Sequence, residues 1–180
     1  MTCIAAMVEG DHVVMGGDSA GVGGWEVTLR QDSKVFGQGP YTIGFTSSFR
    51  MGDVLRYIVK FPAPPKKNLR GFMVKKFIPE IRKVFKAEGV SKIVSNEDTC
   101  GQFLVGLGCH IFKVHSDYQV GEAIEPFNAC GSGESAARAV MHTLHNHLLR
   151  PAEWCVERAL EAAAHYNMGV RGPFDIIRGK

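Results

Sequence analysis

The stretch that decides the fold is the N-terminus, Met1-Thr2-Cys3-Ile4-Ala5-Ala6-Met7-Val8, read together with Val14-Met15-Gly16-Gly17-Asp18-Ser19-Ala20-Gly21. A short apolar run rich in β-formers begins at once after a hydroxyl residue. No basic stretch followed by an apolar segment precedes it, so no secretory leader is expected. If Met1 is removed, as is usual before a small second residue, Thr2 carries both a hydroxyl and a free α-amine. That places a nucleophile and its own general base on one residue. An α-amine titrates near ~7.7–8.0, so a fair fraction is neutral and can take the hydroxyl proton; a lysine, near ~10.4, would need a large downward shift to do so.

Working outward, Asp18 lies at the end of the second apolar run and Lys34 in Gln31-Asp32-Ser33-Lys34-Val35-Phe36. The acid follows the threonine by 16 residues and the base follows the acid by 16. In this register the chain resembles proteasome β-subunits and the bacterial HslV peptidase, N-terminal-nucleophile hydrolases. In that family an apolar strand beginning at threonine leads to a Gly-Asp or Ala-Asp-Ser turn and then to a lysine before an apolar residue.

Composition fits a globular protein without selecting a function. The 180 residues are a single-domain length, so 1–180 reads as one domain. Hydrophobic content is 45%, charged content 22% and net charge +3, with no long block of like charge. Neither nucleic acid nor a membrane surface is suggested as a partner, and no apolar run approaches the ~20 residues of a membrane helix. Cys3, Cys100, Cys109, Cys130 and Cys155 form an odd count without a C-x-x-C pair. Reduced thiols in a cytoplasmic setting are expected, rather than disulfides or zinc.

In order, Thr2–Val8 and His12–Gly17 read as strands joined by a turn at Glu9-Gly10-Asp11. Ala20–Gly24 reads as a loop, and Trp25–Arg30, Lys34–Phe36 and Tyr41–Thr46 as strands. Ser47 or Ser48 offers an N-cap to a helix with apolar positions at Met51, Val54, Leu55, Ile58 and Val59. Phe61-Pro62-Ala63-Pro64-Pro65 breaks it. A second amphipathic stretch, Leu69–Ala87, has Pro79 as a kink or a first-turn residue and a solvated basic face. Strands return at Gln102–Leu107, His110–His115, Tyr118–Val120 and Phe127–Cys130. Helices at Glu134–Leu149 and Ala152–Tyr166 follow, and Phe174–Ile177 closes as a strand. Strands and helices come in blocks rather than as βαβ units, which points to an α+β protein in segregated layers. The resemblance implies a four-layer αββα sandwich.

It also implies a site. Thr2 is the nucleophile and its amine the base. Lys34 lowers the amine pKa through its positive charge, and Asp18 holds Lys34. Ser132, in Gly131-Ser132-Gly133, matches the family serine that bonds the amine, while doubling as a helix cap. The family oxyanion donor is the first glycine of an Ala-Gly-Gly turn. Here that turn reads Thr46-Ser47-Ser48, which assigns the N–H to Ser47 or, one residue on, to Ser48. If Lys34 projects from a strand, Asp32 and Phe36 share its face. They then border the pocket before the scissile bond, with Phe45 as a wall; the phenylalanines favour apolar residues and Asp32 admits a basic one. Where proteasome β-subunits carry Asp-x-x-Ser, this chain has Asn167 and Val170, which favours the HslV-like branch.

Other groups read as ordinary. His142, His145 and His147 lie along one helix with poor metal spacing. The early glycines lack the Gly-Lys-Ser/Thr of a phosphate loop, and Cys3 points away from the nucleophile's face. No cofactor or metal is expected. The resemblance implies a threonine endopeptidase in a homo-oligomeric double ring, acting on unfolded polypeptides and fed by an ATP-driven unfoldase. The rivals are a small-molecule amide hydrolase of the same superfamily and a ring-forming homologue of weak activity.

Overall fold

The computed structural model describes residues 1–147 and 150–180. Two antiparallel sheets pack face to face between two helical layers, in the expected four-layer order. One sheet runs β12-β1-β2-β13, from Phe127–Gly131, Cys3–Glu9, His12–Asp18 and Phe174–Arg178. The other runs β11-β10-β9-β6-β5, from Val120–Glu122, His110–Val114, Phe103–Leu107, Tyr41–Phe45 and Val35–Gln38. Two hairpins stand apart from these sheets: β3–β4 (Ala20–Gly23, Glu26–Leu29) and β7–β8 (Lys92–Val94, Glu97–Thr99).

The period-2 alternation of β1 builds the layers. Ile4 and Ala6 face Met15, Val35, Leu104 and Ile111 between the sheets. Cys3, Ala5 and Met7 face the opposite way, onto Ala137, Met141, Val156 and Leu160 of α4 (Glu134–His147) and α5 (Ala152–Tyr166). A fully apolar β1 is therefore what a strand covered on both faces requires. The second sheet buries Ile43, Phe103 and Phe112 against α1 (Phe49–Asp53), α2 (Leu69–Phe72) and α3 (Ile78–Ala87). Both α1 and α2 run on in π-helical geometry, over Val54–Ile58 and Met73–Phe77. Pro79 lies at the start of α3, directly after the π-helical turn Met73–Phe77.

Close sheet packing depends on glycine. A Cβ on Gly44 would lie 2.5 Å from Ile4 Cγ2, and one on Gly16 2.7 Å from Val156 Cγ1. The β1–β2 turn is two residues long, Glu9 pairing with His12, and its first central residue, Gly10, has φ +63°.

The structure corrects the sequence reading in three places. Ala20–Gly23 is a strand, not a loop, because Val22 and Val27 pair across a turn containing Gly24. Hairpin β7–β8 follows α3 where no strand was expected; its residues are exposed or half-buried, so no burial pattern marks it. Lys34 precedes β5, which begins at Val35, so it does not project from a strand. The expected helix Glu134–Leu149 is observed over Glu134–His147; Leu148 and Leu149 lie outside the described residues.

Candidate active site

The end of β1, the end of β2, the segment before β5 and the β12–α4 junction converge on Thr2. Thr2 is 5% exposed, Asp18 0% and Lys34 2%. Asp18 closes β2, and both its oxygens are held by backbone: Cys3 N–H donates to Oδ1 at 2.9 Å and Ala20 N–H to Oδ2 at 3.0 Å. Lys34 Nζ donates to Asp18 Oδ1 at 2.9 Å, to Ala20 O at 2.7 Å and to Thr2 Oγ1 at 3.1 Å. An ammonium has three N–H groups and here finds three acceptors, one of them a carboxylate, so the geometry is that of a charged lysine. Burial pushes the Lys34 pKa below the ordinary lysine value, and Asp18 pulls it back up.

On the other side of Thr2, its N–H donates to Ser132 Oγ at 3.1 Å. Gly131 brings the serine there: its φ is +98°, and a Cβ on it would fall 2.3 Å from Thr2 O. Only glycine lets β12 close so tightly on Thr2. Asn167, which caps α5, steadies the serine: its Nδ2 donates to Ser132 O at 2.9 Å, and its Oδ1 accepts from Gly169 N–H at 3.0 Å and from Ser132 Oγ at 3.3 Å. The amide thus makes the structural contacts of the position without adding a negative charge. Val170 is fully buried among the α4–α5 side chains.

With Met1 in place, Thr2 Oγ donates to Met1 O at 2.5 Å, and the nitrogen beside it is an amide. An amide nitrogen has no basic lone pair to offer. The hydroxyl opens onto a cavity of about 80 Å³ lined by Val22, Lys34, Phe45, Ser47, Ser48 and Phe49, with Thr46 between them.

In the Thr46-Ser47-Ser48 turn, Ser47 has φ +72°, the left-handed region where glycine is most at ease. Thr46 N–H is committed to Gln102 O and Ser48 N–H to Thr46 O, whereas Ser47 N–H makes no hydrogen bond among the described residues. Ser48 uses its hydroxyl to cap Met51 N–H.

Thr2, Asp18, Lys34, Ser47, Ser132 and Phe45 are therefore brought together. Asp32 and Phe36 are not. Phe36 is buried in the core under α1–α3, with the Arg56 guanidinium 4.7 Å from its ring. Asp32 is chelated by Arg30, whose Nε and Nη2 approach to 2.9 and 2.7 Å. The premise of a shared strand face fails because Lys34 lies outside β5, where alternation does not operate. Arg30 and Phe49 are the residues that sequence reasoning missed: the guanidinium lies 3.8 Å over the Phe49 ring, which forms a wall of the cavity. No spacing rule in the sequence links position 30 to position 49.

Cys3 sits in the α4–α5 core, and burial pushes its thiol up to about 12. His142 and His145 pack near the Phe127 ring, and among the described residues no group of three potential metal ligands forms.

The two sheets between two helical layers share the fold of proteasome-like N-terminal-nucleophile hydrolases. Among solved structures, the chain is similar to Thiobacillus denitrificans BPH in complex with epoxomicin, at 16% identity and TM-score 0.82, over 99% of this chain and 98% of that one. A further structure of Thiobacillus denitrificans BPH matches at 18% identity and TM-score 0.81, over 99% and 97%. The eukaryotic HslV from Trypanosoma brucei matches at 18% identity and TM-score 0.72, over 98% of both chains. No protein-family model and no curated protein matches the sequence.

Proposed function

We propose that this chain is a threonine-type endopeptidase subunit. The observation that carries the reading is the position of Thr2: its hydroxyl lies 3.1 Å from a buried lysine and its nitrogen 3.1 Å from Ser132 Oγ. A hydroxyl with an amine on the same residue needs no further base. Activity on this reading requires removal of Met1, which converts the Thr2 amide into an α-amine and frees the hydroxyl from Met1 O.

The amine, oriented by Ser132, takes the hydroxyl proton as Oγ attacks the peptide carbonyl carbon. Lys34 disfavours the ammonium form of the amine electrostatically and stabilises the developing alkoxide. Ser47 N–H supports the oxyanion. As the C–N bond breaks, the amine returns its proton to the leaving nitrogen, leaving an ester on Thr2. The same amine then activates water to hydrolyse that ester. Asp18 contributes by fixing Lys34 and compensating its buried charge.

The fold likeness to HslV and BPH supports a compartmentalised assembly: a homo-oligomeric double ring in the cytoplasm, taking unfolded polypeptide, with ATP bound by an unfoldase partner rather than by this chain. Among the described residues no helix is long and apolar enough to cross a membrane.

The test is intact mass together with hydrolysis of an unstructured fluorogenic peptide. Active material should begin at Thr2, and Thr2→Ala should be inert. Full turnover by a chain that retains Met1, or by Thr2→Ala, sinks the mechanism. Native mass spectrometry tests the ring; a monomer removes the chambered reading.

A further inference from the structure

Charge is distributed very unevenly over this molecule. Residues 60–92 hold ten lysines and arginines against Glu80 and Glu88, a net +8 in a chain of +3, so the remaining residues carry −5. All ten cations are exposed. Glu88 is already neutralised from outside the segment by Arg50, at 2.7 Å. Of the ten, Arg82 alone makes an ion pair among the described residues, with Asp98 at 3.1 Å. Nine of the ten thus make no ion pair among the described residues, and five of these, Arg70, Lys75, Lys76, Lys83 and Lys86, lie along the helical stretch from Leu69 to Ala87, where like charges repel.

That stretch also has a shape. A groove of about 570 Å³ runs along α3, with Val74, Ile78 and Pro79 towards one end and Lys83 and Lys86 towards the other. Val74 is 51% exposed although it sits beside a buried apolar face. The opposite wall is formed by Asp98, Asp117, Tyr118 and Gln119. Arg82 reaches across, pairing with Asp98 and lying 5.1 Å over the Tyr118 ring.

We propose that this groove is a docking site for an acidic segment of a partner protein, bound extended along α3. Carboxylates meet Lys83 and Lys86, and an apolar side chain covers Val74, Ile78 and Pro79. The dimensions agree. Lys83 and Lys86 are three residues apart on a helix, ~5–6 Å between Cβ atoms, and alternate side chains of an extended chain repeat every ~6.6 Å. From Val74 to Lys86 the helical wall is ~18 Å long at 1.5 Å per residue, which five or six extended residues span. Asp117, on the far wall, repels acids and holds them to the lysine side.

The occupant is a foreign chain rather than a second copy of this one. Of this chain's own acidic stretches, Glu153, Glu157 and Glu161 on α5 are already paired with Arg178 and Arg158, and Glu122, beside the exposed Ile124, is paired with His110 at 2.6 Å. A phosphate backbone would use the charge but leave the apolar end of the groove exposed.

The inference stands apart from the catalytic reading, and its test does not involve hydrolysis. A fluorescein-labelled peptide, Leu-Val-Gly-Asp-Glu-Asp-Glu-Gly, is titrated with the full-length protein and followed by anisotropy. Lys83→Glu/Lys86→Glu should weaken binding about tenfold or more, as expected for two lost charge pairs turned to repulsion. Lys66→Glu/Lys67→Glu changes net charge equally but lies off the groove, and should weaken it much less. Replacing the Leu-Val pair by Ser-Ser should weaken binding several-fold. Equal losses in the two double variants, indifference to the Leu-Val change, or no binding to the wild-type chain would each overturn the proposal. So would a duplex oligonucleotide that competes equally well with the peptide in both double variants.

Discussion

Lys34→Ala is the perturbation that discriminates best between an active centre and an ordinary buried ion pair. The change removes the hydrogen bond to Thr2 Oγ1 and leaves Asp18, fully buried, without its counter-ion. Asp18 keeps the Cys3 and Ala20 N–H donors, and Ala20 O loses its lysine partner. Breaking one side of a buried pair costs ~3–5 kcal/mol; with two backbone donors retained, about 3 kcal/mol of stability should be lost. On activity the effect is separate. The lone carboxylate raises the α-amine pKa and holds it protonated, and the developing anion loses a fixed charge, together worth at least ~10²–10³ in rate. Lys34→Arg should rescue little, because a planar fork cannot make the three convergent contacts of an ammonium. The pH profile gives a second readout. Burial lowers the folded Lys34 pKa below its unfolded value near ~10.4, so between the two the unfolded chain binds the extra proton and stability rises with pH. Activity should fall across the same window as the charge is lost, the opposite sense to stability. Hydrolysis, denaturant melts and native mass should be measured on the same preparations. Near-normal turnover in Lys34→Ala, with assembly intact, would show that the lysine is only structural.

Three further outcomes follow from named contacts. Ser47→Gly should retain activity, since the backbone N–H is unchanged, and should gain up to about 1 kcal/mol by relieving φ +72° in a denaturant melt. Asn167→Asp places a carboxylate against Ser132 and should move the acid limb of the kcat profile to higher pH by raising the amine pKa, whereas Asn167→Ala should lower kcat without that displacement. Gly44→Ala should cost ~1–3 kcal/mol in stability by driving a Cβ into Ile4 between the sheets, read as a lower unfolding midpoint.

The balance between sequence and structure differs from one part of the chain to the next. The apolar runs of β1 and β2, the helix periodicities and the blockwise order of elements are local features, and they carried the segregated layers; the number of layers, four, came only with the family resemblance. Thr2, Asp18, Lys34 and Ser132, singled out in the sequence by resemblance to a family pattern, are brought within hydrogen-bond reach of one another by the fold. Asp32 and Phe36 were misplaced, because alternation presupposes a strand and the chain enters β5 only after Lys34. The ion pair that occupies Asp32, the Arg30 guanidinium on Phe49 and the Asn167 bridge to Ser132 link residues whose relation no sequence period encodes. Sequence alone determined which residues must be apolar and where the candidate nucleophile stands, since burial and covalent order depend on residue type. Tertiary structure alone decided that Ser47 N–H makes no hydrogen bond among the described residues, how the lysine's three protons are shared, and that Lys83 and Lys86 line a groove with Val74 and Ile78. Those depend on distances between segments remote in sequence, which packing sets and periodicity does not.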